Sequence, residues 1–253
     1  DILSHIVEFR NGESGQHVIH IRMLTELFLQ RLMLKTDRYP LTPVDINLIC
    51  IASALHDVGK IAIPGEILNK PGRFTEEEFA IMKEHTTIGS TMMEAVPIHG
   101  SEALIKVARD ICRWHHERWD GRGYPDGLKG DEIPISAQIV ALADVYDALT
   151  SPRVYKPAFP HEKAVEMILG NQCGTFNPLL MEILQEVAPE LPEQLQARDE
   201  SRTAQLEMRS VAQEMHHYEE LSASERTLQL LEHERMKYSF FAAMSQEIQF
   251  EYT

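Results

Sequence analysis

His56 and Asp57 stand side by side in Ala54-Leu55-His56-Asp57-Val58-Gly59-Lys60, at the end of an apolar segment that includes Leu48, Ile49, Ile51, Ala52 and Leu55. An ionisable pair at the end of a buried helix costs free energy unless something compensates it. A metal cation is the obvious compensator, and the chain supplies further ligands for one. His115-His116 lie in Ile111-Cys112-Arg113-Trp114-His115-His116-Glu117, and Asp144 lies in Ala141-Leu142-Ala143-Asp144-Val145-Tyr146. His85 and His17 each fall near an expected helical start, and Glu13 sits four residues before His17. These candidates are scattered over more than a hundred residues with no Cys-x-x-Cys pair among them. Structural zinc sites are local and rich in thiolate, so this is a different kind of site. Imidazoles mixed with carboxylates suit Fe, Mn, Ni, Co or Zn in a catalytic centre.

Eight candidates exceed the needs of one four- to six-coordinate ion. An Asp57 that bridges, with ligands on either side, makes a two-metal site with ions ~3.5–4 Å apart. Glu13 makes a third ion conceivable. Neighbouring helical residues point ~100° apart, so His56-Asp57 and His115-His116 can each straddle a cluster placed at a helix end. Such a cluster lowers the pKa of a bridging water from ~15.7 toward ~7 and clamps a phosphoryl oxygen. The reaction class is then hydrolysis of a phosphate ester by in-line attack of metal-held hydroxide, with Asp57 as the central catalytic carboxylate. Lys60, just past a helix end marked by Gly59, is placed to hold a non-bridging phosphate oxygen. Arg153 and Lys156, after the Asp144 helix, are placed to neutralise a second phosphate, and Arg carries the planar fork suited to that role.

Each of these residues also has an ordinary reading. A lone His on an apolar helix is usually a satisfied core residue, but five His and three carboxylates at helix ends or in apolar runs weaken that account. Asp144, flanked by Ala141, Ala143, Val145 and Ala148, is the hardest to explain without a cation. Asp147 reads as a partner for Arg153, and Lys60 alone would serve as a cation at a helix C-terminus. Tyr124 and Pro125 stand between loop packing and substrate contact. Lys70, Arg118 and Arg122 read as solvated, and His5, His20, His99, His161, His216, His217 and His233 as histidines without a special role.

The elements that must position these groups are helical. A helix is predicted from Ser14 to about Leu34. Thr42-Pro43 opens the next, with Pro at the favoured first position and Asp45 completing a partial capping box. Thr75-Glu76-Glu77-Glu78 is a fuller capping box, starting a helix that carries Phe79 and Met82. Ser101, Ser136 and Asn177-Pro178 supply further starts. Between the histidine pair and Ser136 runs a loop rich in Gly, Pro and Asp, Trp119-Asp120-Gly121-Arg122-Gly123-Tyr124-Pro125-Asp126-Gly127. Long loops inside a helical domain are more often functional than idle.

At 253 residues the chain has room for one domain of about 190 residues and a smaller piece. No apolar run approaches the ~20 residues of a membrane span. Cys50, Cys112 and Cys173 are widely spaced and odd in number, which reads as buried thiols in a reducing, cytoplasmic setting. A formal charge of −15 disfavours binding of nucleic acid polymer, yet leaves a small anionic substrate open, because bound metals dominate the local field. From Glu193 to about Met236 there is no Pro or Gly and much Glu, Gln and Arg. That predicts a long helix, either a two-stranded coiled coil giving a homodimer or a solvated helix folding back on the bundle. From Tyr238 the pattern turns toward strand alternation. The start at Asp1 and the stop at Thr253 read as a piece of a longer protein.

The joint motif set resembles the HD-GYP family: His56-Asp57-Val58-Gly59-Lys60, Ile67-Leu68-Asn69-Lys70-Pro71-Gly72, His85, His115-His116-Glu117, Gly123-Tyr124-Pro125, Ala143-Asp144-Val145-Tyr146-Asp147-Ala148-Leu149-Thr150 and Arg153-Val154-Tyr155-Lys156. While composition makes 193–237 a long helical linker and 238–253 is separately similar to the start of a PAS-like domain, the resemblance implies an all-α HD-domain bundle over residues 1–192. It implies two or three divalent ions, most often Fe or Mn, held by Glu13, His17, His56, Asp57, His85, His115, His116 and Asp144. It implies hydrolysis of cyclic di-GMP to pGpG and GMP, with Lys60, Arg153 and Lys156 on the phosphates of the substrate; Tyr124 stays a candidate for substrate contact. The opening segment is similar to the stretch that succeeds a receiver domain in response regulators. Three departures, Thr86 and Val154 where Pro is usual and His20 where Arg is frequent, remove no ligand. Two alternatives stay open: a hydrolase of another cyclic dinucleotide such as cyclic GMP-AMP, and a signalling module that binds metal and nucleotide without turnover.

Overall fold

Two reciprocal capping boxes set the frame of the chain. Thr42 Oγ1 accepts from the Asp45 N–H while the Asp45 carboxylate accepts from the Thr42 N–H, and Thr75 and Glu78 repeat the arrangement. Each satisfies two otherwise orphaned donors at a helix start. The computed structural model describes residues 16–96, 102–152 and 158–197. The chain divides into two compact units, residues 1–196 and 197–253, and all but the last described residue belong to the first.

Eight α-helices succeed one another among the described residues: α1 (His17–Lys35), α2 (Pro43–Ser53), α3 (Gly65–Leu68), α4 (Glu76–Ala95), α5 (Glu102–Trp114), α6 (Ile135–Thr150), α7 (His161–Leu169) and α8 (Pro178–Val187). A 3-10 segment, Val58–Ala62, links α2 to α3. The only β pairing among the described residues is an isolated bridge between Asp120 and Lys129, so the all-α expectation holds. The helix starts expected at Thr42 and at Asn177, whose side chain accepts from the Leu179 N–H, are in place. Ser136 is no cap: α6 opens one residue earlier, after Pro134. Ser101 and the segments from 198 onward, with the linker and PAS-like readings, lie outside the described residues.

α1 buries Ile21, Leu24, Phe28, Leu29 and Leu32, a 3/4-spaced stripe that packs on α2, α6 and α8. α4 lies along α5 and the 3-10 segment, and α5 bridges to α2 and α6. α6 is buried nearly all round, through Ala137, Ile139, Val140, Leu142, Ala143 and Tyr146. The carboxylates it carries are therefore delivered into the interior. Cys50 and Cys112 are buried, Cys173 is half-buried, and none of the three is in a disulfide. No helix among the described residues is long and apolar enough to cross a membrane.

One backbone contact decides where the His-Asp turn sits. A Cβ on Gly59 would lie 2.0 Å from the His85 carbonyl oxygen and 2.6 Å from the Gly89 nitrogen. Gly59 is thus required by close approach to α4. It sits inside the 3-10 segment, and α2 has already ended at Ser53, so it does not mark a helix end as the sequence suggested. His85 is likewise displaced from its expected place near a helical start: it lies in the middle of α4, where this contact brings it against the turn.

Candidate metal centre

Five elements contribute side chains to one buried space. His17 is the first residue of α1, and His56 and Asp57 occupy the turn between α2 and the 3-10 segment. His85 comes from mid-α4, His115 and His116 come directly after α5, and Asp144 projects from α6. Helix ends and a 3-10 turn suit this purpose, because adjacent residues there diverge and can face different parts of one cavity.

Asp57 lies at the centre, and its two oxygens face different partners. Oδ1 is 3.4 Å from His85 Nε2 and 3.7 Å from His115 Nε2. Oδ2 is 3.3 Å from His56 Nε2 and 2.6 Å from Lys60 Nζ. Asp144 Oδ1 is 3.9 Å from both His17 Nε2 and His56 Nε2. Two sets of donors result, Asp57 with His85, His115 and His116, and Asp57 with His17 and His56, each with its atoms within 4.8 Å of one another.

The hydrogen bonds on the far side of each ring fix which nitrogen faces inward. Nδ1–H of His56 donates to the Ser53 carbonyl at 2.8 Å, that of His85 to Met82 at 2.6 Å, and that of His115 to Ile111 at 2.9 Å. His17 Nδ1 donates to Asp147 Oδ2 at 2.7 Å. Network geometry thereby assigns Nε2 as the lone-pair nitrogen in all four rings, the orientation that outer partners impose on metal-binding imidazoles. His17 Nε2, His56 Nε2 and Asp57 Oδ1 are buried with no hydrogen-bond partner. Orphaned buried acceptors are expensive. They belong to the two donor sets that share Asp57, so the donor set fits divalent cations with N and O preferences.

The electrostatics agree. Burial works against a charge at His56, yet the Asp57 and Asp144 carboxylates outweigh it and raise its pKa to about 9. A proton is there the smallest cation the site can take. Burial instead lowers His85 to about 4, and burial with the neighbouring His115 and His85 rings holds His116 well below the ordinary range. Burial opposes the charge on Asp57 too, but Lys60 and His56 keep its carboxyl well below the usual carboxylate range.

A ring of supporting residues surrounds these donors. Asp147 accepts from both His17 and His20, with His20 Nδ1 at 2.7 Å from Oδ1, while its expected partner Arg153 lies outside the described residues. His20 is therefore no bystander; the i,i+3 spacing of Asp144 and Asp147 on one helix was the available signal. Glu117 is buried and accepts the N–H groups of Asp126 and Gly127, pinning the loop after the histidine pair. Tyr124 stacks on the His116 ring, centroids 4.8 Å apart at 30°. Arg118, read as solvated, instead lies 5.3 Å from the Phe176 ring with a buried, unpartnered Nη1 among the described residues. A Cβ on Gly174, at φ +109°, would lie 2.4 Å from its Nε. Lys70 pairs with Glu78, and Arg122 is exposed as expected. Glu13, Arg153 and Lys156 lie outside the described residues.

An HD domain family model matches residues 29–178. The chain is 42% identical over 186 residues to a cyclic di-GMP phosphodiesterase of Vibrio cholerae, covering 71% of this chain and 37% of that protein. It is 38% identical over 191 residues to a cyclic di-GMP phosphodiesterase of Thermotoga maritima, covering 76% and 49%. It is 41% identical over 184 residues to 3'3'-cGAMP-specific phosphodiesterase 2 of Vibrio cholerae, covering 73% and 33%. The chain thus spans less than half the length of these relatives. Among solved structures it is similar to a cyclic GMP-AMP specific phosphodiesterase of Vibrio cholerae, with TM-score 0.57 and 17% identity over 79% of this chain and 51% of that one. It is also similar to an HDG"Y"P protein from Bdellovibrio bacteriovorus, with TM-score 0.52 and 22% identity over 68% and 51%. Both speak to the fold. With a family model matched over more than half its length and the His56-Asp57 pair at the centre of its bundle, the chain belongs to the HD domain family.

Proposed function

We propose that this chain is the catalytic part of an HD-GYP-type phosphodiesterase that hydrolyses cyclic di-GMP to pGpG and on to GMP. The observation that carries this reading is the division of Asp57, Oδ1 toward His85 and His115 and Oδ2 toward His56. One carboxylate shared by two donor sets is the arrangement a two-metal hydrolase needs. The names of the relatives at about 40% identity support the substrate.

In this reading His17, His56, Asp57, His85, His115, His116 and Asp144 hold two divalent ions, Fe or Mn by preference, and Glu13 contributes to a third. Bound ions supply Lewis acidity, acidifying water and drawing charge off a phosphoryl group. Attack of a water oxygen on phosphorus breaks the P–O3' bond, and the departing 3'-oxygen takes a proton. Lys60, at present 2.6 Å from Asp57, carries an ammonium to the edge of the same space and there neutralises a phosphoryl oxygen. Asp147 holds the His17 ring through its Nδ1–H, and Glu117 holds the loop that presents Tyr124. Arg153 and Lys156 meet the second phosphate. The setting is cytoplasmic, and the partners are a second copy of the chain and receiver or PAS-type sensory domains.

The test is incubation of anaerobically purified protein with cyclic di-GMP and either Mn²⁺ or Fe²⁺. Release of pGpG is expected; metal-loaded protein that binds the dinucleotide and never cleaves it would make this a binding module. A second reading, cleavage of 3'3'-cGAMP, is favoured by the 41% identical relative of that specificity. Parallel assays of the two dinucleotides decide between them.

A further inference from the structure

Phe79 is 44% exposed at the end of α4 nearest the loop that carries Tyr124. The buried face of α4 runs through Met82, His85, Thr86 and Gly89. Phe79 and Lys83 are an i,i+4 pair beside that face. Lys83 Nζ lies 5.2 Å from the Phe79 ring centroid and 5.9 Å from that of Tyr124. The two aromatic rings meet edge to face at 6.1 Å and 83°, and Tyr124 in turn is stacked on His116. A cleft of about 370 Å³, lined by residues 72–76 and Phe79, opens at the same ring. A path of contacting rings therefore leads from the candidate metal centre to an open aromatic surface with an ammonium above it.

We propose that Phe79 and Lys83, together with Tyr124, form a ledge that receives a purine base of the substrate, a specificity surface that extends outward from His116 and ends on Phe79. This inference rests on the phosphodiesterase reading. A nucleotide whose phosphate sits beside His116 carries its base one sugar away, a reach comparable to the two ring contacts that separate His116 from Phe79. Aromatic side chains bind bases through their faces, and the edge-to-face pair leaves a corner that a third flat ring completes. The Lys83 ammonium is a donor for the O6 and N7 acceptors that guanine presents on one edge. An isolated exposed Phe needs no explanation, but this one is in ring contact with a residue that itself covers a candidate ligand.

The test is steady-state kinetics of Mn-loaded protein with cyclic di-GMP. Phe79→Ala is expected to raise KM about 5- to 100-fold, the loss of one stacked base, with a much smaller change in kcat and unchanged metal content. Phe79→Trp restores a KM at or below that of the wild type, whereas Phe79→Leu does not. Lys83→Met raises KM by a smaller factor. Because Phe79 is exposed, the variants retain the wild-type melting temperature. A wild-type KM in both Phe79→Ala and Phe79→Leu, in a protein that turns over, overturns the ledge alone. Absence of turnover and of dinucleotide binding in the wild type overturns the phosphodiesterase reading and the ledge with it.

Discussion

The Nε2 atoms of His85 and His115 face each other at 3.4 Å, a hydrogen bond only when one of them carries a proton. Both rings already give their Nδ1–H to backbone carbonyls, of Met82 and of Ile111. Two lone pairs are therefore held point to point, with Asp57 Oδ1 completing the triangle. Only a positive charge among them makes this arrangement favourable, which is the electrostatic demand that a bound cation answers.

Metal content distinguishes the central carboxylate from its supporter. Asp57→Ala is expected to abolish binding in both donor sets, taking the protein from about two ions per chain to none. Asp147→Asn leaves the Asp57, His85, His115 and His116 set intact but frees the His17 ring, and costs roughly 10- to 100-fold in affinity at one ion only. Elemental analysis across a metal titration reads both. Full metal content in Asp57→Ala would remove it as a bridge.

Lys60→Ala separates binding from chemistry. Its ammonium is not needed to hold cations, so metal content should stay at the wild-type level. Turnover of cyclic di-GMP is expected to fall by ~10²–10³-fold, the usual cost of one oxyanion donor. An unchanged kcat would take Lys60 out of the reaction.

The contact between Gly59 and α4 is rigid on both sides. Gly59→Ala drives a methyl group into the His85 carbonyl and the Gly89 nitrogen, and backbone cannot swing aside as a flexible side chain does. A loss of about 3 kcal/mol by urea unfolding is expected, with weakened metal binding because His85 moves. Gly65→Ala meets nothing within 4 Å and should be neutral or stabilising by up to about 0.5 kcal/mol. Equal effects at the two positions would refute the packing account.

Acid sensitivity should trace in part to Asp126. Its carboxylate takes the Arg113 guanidinium at 2.7 and 2.8 Å and the Trp114 indole N–H at 2.8 Å. Arg113 first, against a smaller opposing effect of burial, holds its pKa below the ordinary 3.8. A carboxylate whose pKa is lower folded than unfolded contributes stability above the unfolded value, and that contribution is lost as pH falls through the folded value. The urea midpoint of the wild type should therefore drop more between pH 5 and pH 3 than that of Asp126→Asn. Parallel drops in the two proteins would show that the pair contributes nothing.

Much of the site was legible in residue types. His56-Asp57 and Asp144 stood out because ionisable groups inside apolar runs need a partner, and the histidine pair stood out beside a loop with turn residues throughout. The supporting residues were harder to read. The spacing of Asp144 and Asp147 hinted at one face, but the link of Asp147 and His20 to His17 shows only where α1 packs on α6. Arg118 read as a solvated cation because nothing local reveals that Gly174 and Phe176, more than fifty positions away, make room for its stem.

Local patterning determined the all-helical class and the caps at Thr42, Thr75 and Asn177, since propensity, periodicity and capping act over three or four residues. It also determined the chemistry on offer, a pool of imidazoles and carboxylates without thiolate pairs. Tertiary structure decided which of them meet. Asp57 reaches His85 because a missing side chain at Gly59 lets one backbone lie against another, and its two oxygens part company because Oδ1 meets residues of α4 and the end of α5 while Oδ2 stays with His56 and Lys60 of its own turn. Distances of that kind come from packing between segments far apart in the chain, where spacing along the sequence carries no measure of separation in space.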